Sequence, residues 1–189
     1  FYKYKLKVKL RKKFRKIFIF FGNAEPNSET LKSLKILKKF SNLKVNCIIG
    51  KYSKDKNKII ALSKKKKNIN YYYDISNLKV LKLIINSDLA IGSGGINLLE
   101  RLFLGLPSIV ITTADNQLNA VKNYNKNKKI LYFGHSNNFE IQNNKTKIDN
   151  IFKDKNILKI ISLNSYKMFN RKYFFKLSKE INKIIKKAR

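Results

Sequence analysis

The stretch Asp88-Leu89-Ala90-Ile91-Gly92-Ser93-Gly94-Gly95-Ile96-Asn97 decides the fold. Leu89-Ala90-Ile91 reads as a brief apolar strand that runs straight into three closely spaced glycines, and residues 97–104 continue at helical period. Gly105-Leu106-Pro107 ends that helix, with glycine just past the last turn and proline beyond it. Glycines at such a junction let a ligand approach the backbone, and the helix start offers unpaired N–H groups and a positive dipole end. A phosphate or diphosphate is the guest this chemistry suits; a tight turn with close helix packing is the purely structural alternative. The P-loop is excluded because no Gly-Lys-Ser/Thr follows, and the dinucleotide fingerprint fails at Asn97, where its third glycine belongs.

The same unit repeats outward along the chain. Residues 17–21, IFIFF, form a continuous apolar run of the kind buried on both faces of a sheet, and end at the turn-rich loop 22–27, GNAEPN. Leu31, Leu34, Leu37 and Phe40 then follow at helical spacing after Ser28. Residues 45–49, 69–73, 108–112 and 130–133 are further strand candidates, and 78–87 and 117–124 are helix candidates. The lysine-rich stretch 51–67 reads as a solvated helix or loop, and the tail 148–189 as helical, with Phe174, Leu177, Ile181 and Ile184 on one stripe. Alternation of this kind predicts an α/β fold: a Rossmann-like open parallel sheet with helices on both faces, formed by residues 17–189 as one domain. Residues 1–16, alternating aromatic or aliphatic with basic side chains, read as a basic linker or edge strand. In this architecture ligands lie beyond the carboxyl ends of the strands, which directs attention to the loops 22–27, 92–97 and 113–117.

Composition narrows the function classes. The 189 residues carry 43 Lys+Arg against 11 Asp+Glu, a formal charge of +32. That charge invites a polyanion partner. However, only five of the basic residues are Arg, the fork that recognises bases and phosphates best, and 38 Lys, 24 Asn and 25 Ile are what a strongly A/T-biased coding sequence produces. Nucleic acid is therefore not the expected partner. Between Lys82 and Lys122 there is no lysine at all; Arg101 faces Asp88, Glu100 and Asp115 there, and four of the seven glycines fall in the same window. A stretch spared from lysine is a buried core, a site, or both. One cysteine, Cys47, inside an apolar strand, excludes a disulfide framework, and one histidine, His135, leaves no His/Cys metal set; no metal and no cofactor are expected. His135, after Gly134, reads as a polar loop residue. No apolar run reaches the ~20 residues of a membrane span, so a cytoplasmic protein is expected. The chain starts at Phe1 without a cleavage pattern, which suggests a fragment.

Glu100 follows the glycine loop closely enough to reach a ribose whose phosphates rest on the helix start, and a carboxylate accepts hydrogen bonds from both ribose hydroxyls. Its alternative role is a first-turn acid complementing the dipole, or a partner for Arg101. Asp115-Asn116-Gln117 opens the next strand-to-helix loop and offers polar groups to a sugar, or caps the helix through Asn116.

The run 88–95 with Glu100, the segment Leu104-Gly105-Leu106-Pro107-Ser108, and Ala114-Asp115-Asn116-Gln117 together resemble the carboxyl-terminal half of the PseG family. These are the UDP-2,4-diacetamido-2,4,6-trideoxy-altropyranose hydrolases of pseudaminic acid biosynthesis. Residues 20–27, FFGNAEPN, resemble the first loop of the same family. More distant relatives are the MurG-like GT-B glycosyltransferases. The resemblance implies the carboxyl-terminal domain of a GT-B fold that binds a UDP-sugar. Gly94, Gly95, Ile96 and Asn97 match the diphosphate loop, Glu100 the ribose-binding acid, Gln117 and Asn23 sugar-facing residues, and Asn116 the catalytic asparagine. It also implies that the amino-terminal domain supplying the catalytic base lies outside this chain, so that the fragment alone is inactive. Where the family's loop runs Ser-Thr-Thr-Trp, this chain has Ile96-Asn97-Leu98-Leu99. The alternatives are a MurG-like UDP-GlcNAc transferase and, from another class, a basic domain binding nucleic acid or anionic lipid.

Overall fold

The structure is a computed structural model that describes Arg11 and residues 14–168. Six strands alternate with helices: β1 (Lys16–Phe20), α1 (Glu29–Leu37), β2 (Lys44–Ile49), α2 (Lys56–Lys65), β3 (Ile69–Tyr73), α3 (Asn77–Ile85), β4 (Leu89–Gly92), α4 (Ile96–Phe103), β5 (Ser108–Thr112), α5 (Leu118–Lys126), β6 (Leu131–His135), α6 (Ile141–Lys153) and α7 (Lys155–Met168). Short 3-10 turns occupy Asp115–Gln117 and Ser136–Asn138. The strands form one sheet in the order β3-β2-β1-β4-β5-β6, and every pairing is parallel.

That order follows from the apolar pattern. Each central strand is buried on both faces, which is why it reads as an unbroken apolar run. Ile17, Ile19, Cys47, Ile91 and Ile109 face a core closed by α1, α2 and α6. Phe18, Ile48 and Ala90 face the opposite side under α3 and α4, and Val110 packs with Leu98, Leu102 and Val121 of α4 and α5. The chain builds β1 to β3 outward in one direction, then returns to place β4 against the other edge of β1. The register pairs Phe20 with Gly92, so the loops leaving β1 and β4 diverge from adjacent points. This is the topological switch point, where an open α/β sheet leaves a crevice.

The amino end of the β1–β4 pair is fixed by polar contacts. Asp88 Oδ2 accepts hydrogen bonds from the backbone N–H groups of Arg15 (2.9 Å) and Lys16 (2.8 Å). Arg11 is buried, and its Nη1 donates to the carbonyls of Leu104 (2.7 Å) and Gly105 (2.9 Å) just past the last turn of α4. A cation there answers the unpaired carbonyls and the negative dipole end. Burial lowers the Arg11 pKa to about 10, although Asp88 acts in the opposite sense.

Of residues 1–16, read as a linker or edge strand, Arg11 and residues 14–16 are described. Lys16 opens a central strand rather than an edge strand, and Arg11 is a buried tie. The other residues up to Lys13, apart from Phe14 and Arg15 further on, lie outside the described residues, as does the stripe from Phe174 to Ile184. The stretch 51–67 contains a true helix, α2, anchored through buried Ile59, and the helical tail begins earlier than expected, at Ile141.

Replacing Asp88 with alanine leaves two backbone donors of the β1 entry without their carboxylate. The expected loss is about 1–3 kcal/mol in urea-unfolding free energy, the usual scale for hydrogen bonds to a charged group.

Candidate functional site

The site is built on one peptide plane. β4 ends at Gly92, the chain turns through Ser93, Gly94 and Gly95, and α4 starts at Ile96. The Ser93 carbonyl accepts a hydrogen bond from Nη2 of Arg101 at 2.6 Å. On the other side of the same peptide, the Gly94 N–H donates to the side-chain oxygen of Gln117 at 3.1 Å. Because C=O and N–H of a trans peptide point in opposite directions, these two contacts hold the Ser93–Gly94 plane from both edges. The Gln117 oxygen also accepts from Thr113 N–H (3.0 Å), and its Nε2 donates to Thr113 Oγ1 (3.2 Å). Gln117 thereby brackets the loops after β4 and β5.

The glycines divide by cause. A Cβ on Gly92 would lie 2.1 Å from Nη1 of Arg101 and 2.2 Å from the Phe20 carbonyl, and a Cβ on Gly94 would lie 2.6 Å from Val121 Cγ2. Both positions are glycine because the protein leaves no room. Gly95 differs: its nearest neighbour to such a Cβ is Gln117 Nε2 at 3.8 Å, an ordinary contact, and its φ of −80° suits any residue. As the N-cap of α4 it brings no side chain to cap the helix. The first N–H groups of a helix have no partner within it, so those of α4 face outward for whatever ligand lies over the loop.

The second helix start at the crevice is closed to anions. At α1 the Thr30 N–H donates to Glu25 Oε2 (2.7 Å) and the Asn27 N–H to the Glu29 carboxylate (3.2 Å). Glu29 is fully buried and also accepts from Ser136 Oγ, while Asn27 Nδ2 donates to Ser136 Oγ (2.8 Å) and to Asn137 Oδ1 (3.0 Å). Two carboxylates thus occupy the place an anion would take. Burial raises the Glu25 pKa and neighbouring Glu29 raises it further, against the lowering effect of the hydrogen bonds from Thr30.

A cleft of about 370 Å³ opens at the carboxyl ends of β1, β2 and β3 beside α4. Asn23, Asn97 and Glu100 line it together, joined by Lys51, Tyr73, Asp74 and Asn77 and floored by Ile48, Ile75 and Val80. Asn97 Nδ2 donates to Glu100 Oε2 at 3.0 Å, which orients the carboxylate along the cleft wall. Gly94, Gly95 and Ile96 form the neighbouring loop; the Ile96 side chain is 80% exposed, so only its backbone belongs to the site. Asn116 stands exposed on the 3-10 turn Asp115–Gln117, with no capping role.

His135 ends β6 rather than sitting in a loop; its Nδ1 accepts from Asn137 N–H (3.2 Å), and its Nε2 is 3.9 Å from Asp115. Cys47 is core, its thiol pushed up to about 12, mainly by burial. Among the described residues no three His, Cys, Asp or Glu side chains come together as a metal set, and no helix is long and apolar enough to cross a membrane. Sequence reasoning missed Tyr73, Asp74 and Asn77, which only the order of the sheet brings to the cleft. It also missed the inward turn of Arg101, although that residue is the single basic side chain of the lysine-free window.

No protein-family model matches the sequence. The uncharacterized protein MJ1062 of Methanocaldococcus jannaschii is 31% identical over an alignment of 133 residues that covers 67% of this chain and 27% of that protein. The chain thus spans about a quarter of the curated relative it matches. Among solved structures, MurG of Acinetobacter baumannii superposes with a TM-score of 0.69 at 13% identity, covering 96% of this chain and 52% of MurG. The C-terminal CMP-Kdo binding domain of WaaA from Acinetobacter baumannii gives 0.58 at 12% identity, covering 90% of this chain and 96% of that domain. The fold, an α/β domain with a six-stranded parallel sheet, resembles the carboxyl-terminal domain of a GT-B fold.

Glu25 supplies a pH test of the closed helix start. A carboxyl whose folded pKa is raised makes the fold less stable as pH climbs from the ordinary glutamate value through the raised one. Glu25→Gln is expected to have a higher Tm than the wild type at pH 7, with the difference vanishing in acid, in melts followed by circular dichroism from pH 4 to 8.

Proposed function

We propose that this chain is the nucleotide-sugar-binding domain of a GT-B enzyme, and that it holds a UDP-sugar at the β1–β4 crevice. The observation that carries the reading is the open start of α4, uncapped and aimed by the clamped Ser93–Gly94 peptide, next to a cleft lined by a carboxylate. The diphosphate lies on the N–H groups of Gly95, Ile96 and Asn97. Glu100, oriented by Asn97, accepts the ribose hydroxyls, and the base extends into the cleft toward Asn77 and Tyr73. The sugar projects the other way, toward Asn116, while Asn23 shares the cleft with the base and Gln117 acts through its grip on the loop.

In the chemistry this suits, the bond between the anomeric carbon and the diphosphate breaks, and an acceptor hydroxyl held by a second domain takes the sugar. Fixed backbone N–H groups at the leaving diphosphate lower the barrier because they need no rearrangement as its charge develops. The MurG likeness supports glycosyl transfer as this reaction. A second reading keeps water in place of the acceptor, which makes the enzyme a UDP-sugar hydrolase of the PseG kind. The residue run from Gly92 through Glu100 to Asp115-Asn116-Gln117 favours it.

Calorimetric titration with UDP tests the site. Saturable binding is expected, weakened about tenfold in Glu100→Ala, the scale of a lost charged hydrogen-bond pair. No saturation at millimolar UDP, or equal affinity in the variant, would contradict it. Gly95→Ser separates binding from folding. Serine is a better N-cap than glycine, so Tm is expected to hold or rise while UDP affinity falls, because the hydroxyl takes the N–H groups meant for phosphate. To separate the two reactions, UDP release from a UDP-sugar is followed with and without an acceptor alcohol, using the chain together with its amino-terminal domain. Release that needs the acceptor favours transfer.

A further inference from the structure

Arg101 is more than a strut. The side chain is fully buried, and its guanidinium makes one hydrogen bond, to the Ser93 carbonyl, while Nε and Nη1 have no partner. Burying a guanidinium with two donors unmet costs several kcal/mol, and an apolar side chain of similar length would fill the space at lower cost. Its Nη1 packs against Gly92, a position that the Phe20 carbonyl also closes to any side chain. Lysine is the basic residue of this chain almost everywhere, yet the window between Lys82 and Lys122 holds a single cation, this arginine, placed directly beneath the glycine loop. A role confined to holding one carbonyl explains neither the unmet donors nor the charge.

We propose that Arg101 is a specificity-determining positioning residue, a fixed positive charge under the loop that makes the site select nucleotides by the charge of their phosphates. The inference rests on the nucleotide reading above. The guanidinium does not reach the ligand. It acts through the loop in two ways, by fixing the Ser93–Gly94 plane and by adding its field to the dipole end of α4. In the water-excluded interior that field is screened far less than the field of the surface lysines.

The test compares uridine, UMP and UDP as ligands of the wild type, Arg101→Lys and Arg101→Gln, by calorimetry, with Tm recorded for each. Glutamine removes the charge, and its amide nitrogen, two bonds short of the Nη2 position, also gives up the Ser93 carbonyl; lysine keeps the charge on a chain that is likewise shorter, so the lysine–glutamine difference reads the charge. The result is read as the ratio of UDP to uridine affinity within each protein. The preference for UDP over uridine stays within about threefold in the lysine variant and falls about tenfold or more in the glutamine variant, with UMP between. A glutamine variant that keeps the UDP preference, or one that loses uridine and UDP equally, overturns the proposal and leaves Arg101 a structural residue. If the glutamine variant does not fold, the wild type decides by salt. A UDP preference that persists at high salt supports a buried charge, and one that collapses assigns the preference to surface lysines and overturns the proposal. A wild type that binds none of the three ligands overturns the nucleotide reading itself, and this inference with it.

Discussion

The site depends on a single peptide, Ser93–Gly94, held at its carbonyl by Arg101 and at its N–H by Gln117. Those side chains come from different elements: Arg101 from α4 and Gln117 from the 3-10 turn before α5. Packing supplies the rest of the constraint, since Gly92 and Gly94 have no space for a Cβ. With the plane fixed, the chain enters α4 in one orientation, and the N–H groups of its first turn face the crevice. At the far end of the same helix Arg11 takes the final carbonyls. One short helix is thus tied at both ends by buried arginines, in a chain with only five arginines against 38 lysines.

The contrast between the two helix starts is what assigns the proposed anion to α4. The fold offers two at the switch point, after β1 and after β4. The first is filled by Glu25 and Glu29, which accept from the N–H groups of Thr30 and Asn27 and lock the β1 loop to the β6 loop through Ser136. The second is left open. A high positive charge over the whole surface does little to tell one phosphate from another, because exposed lysines are screened and mobile. In the proposed binding mode, selectivity comes from oriented dipoles and from charge that is buried.

The fold was legible because its strands are buried on both faces and so stand out as apolar runs, with glycine loops marking where strands turn into helices. Asn97 and Glu100 could be placed beside each other because helical spacing brings residues three apart to one face. Asn23 joins them only through the register of β1 against β4, which no local pattern encodes. The same holds for Tyr73, Asp74 and Asn77, carried to the cleft by the order of β1, β2 and β3. Gln117 reads from sequence as a sugar-facing amide, yet its side chain is engaged by the backbone of Gly94 and Thr113; a contact across 23 residues leaves no periodic trace. Arg101 left one signal, its isolation in a window without lysine, but isolation does not say which way a side chain turns.

The most direct test is an NMR titration of the isotopically labelled chain with UDP, following backbone amides. If α4 presents its first N–H groups to the diphosphate, the signals of Gly95, Ile96 and Asn97 move saturably together with that of Glu100, while those of Glu29, Thr30 and Leu31 at the start of α1 stay in place. Movement centred on α1, or spread over the lysine-rich surface with the α4 amides unchanged, would contradict the account.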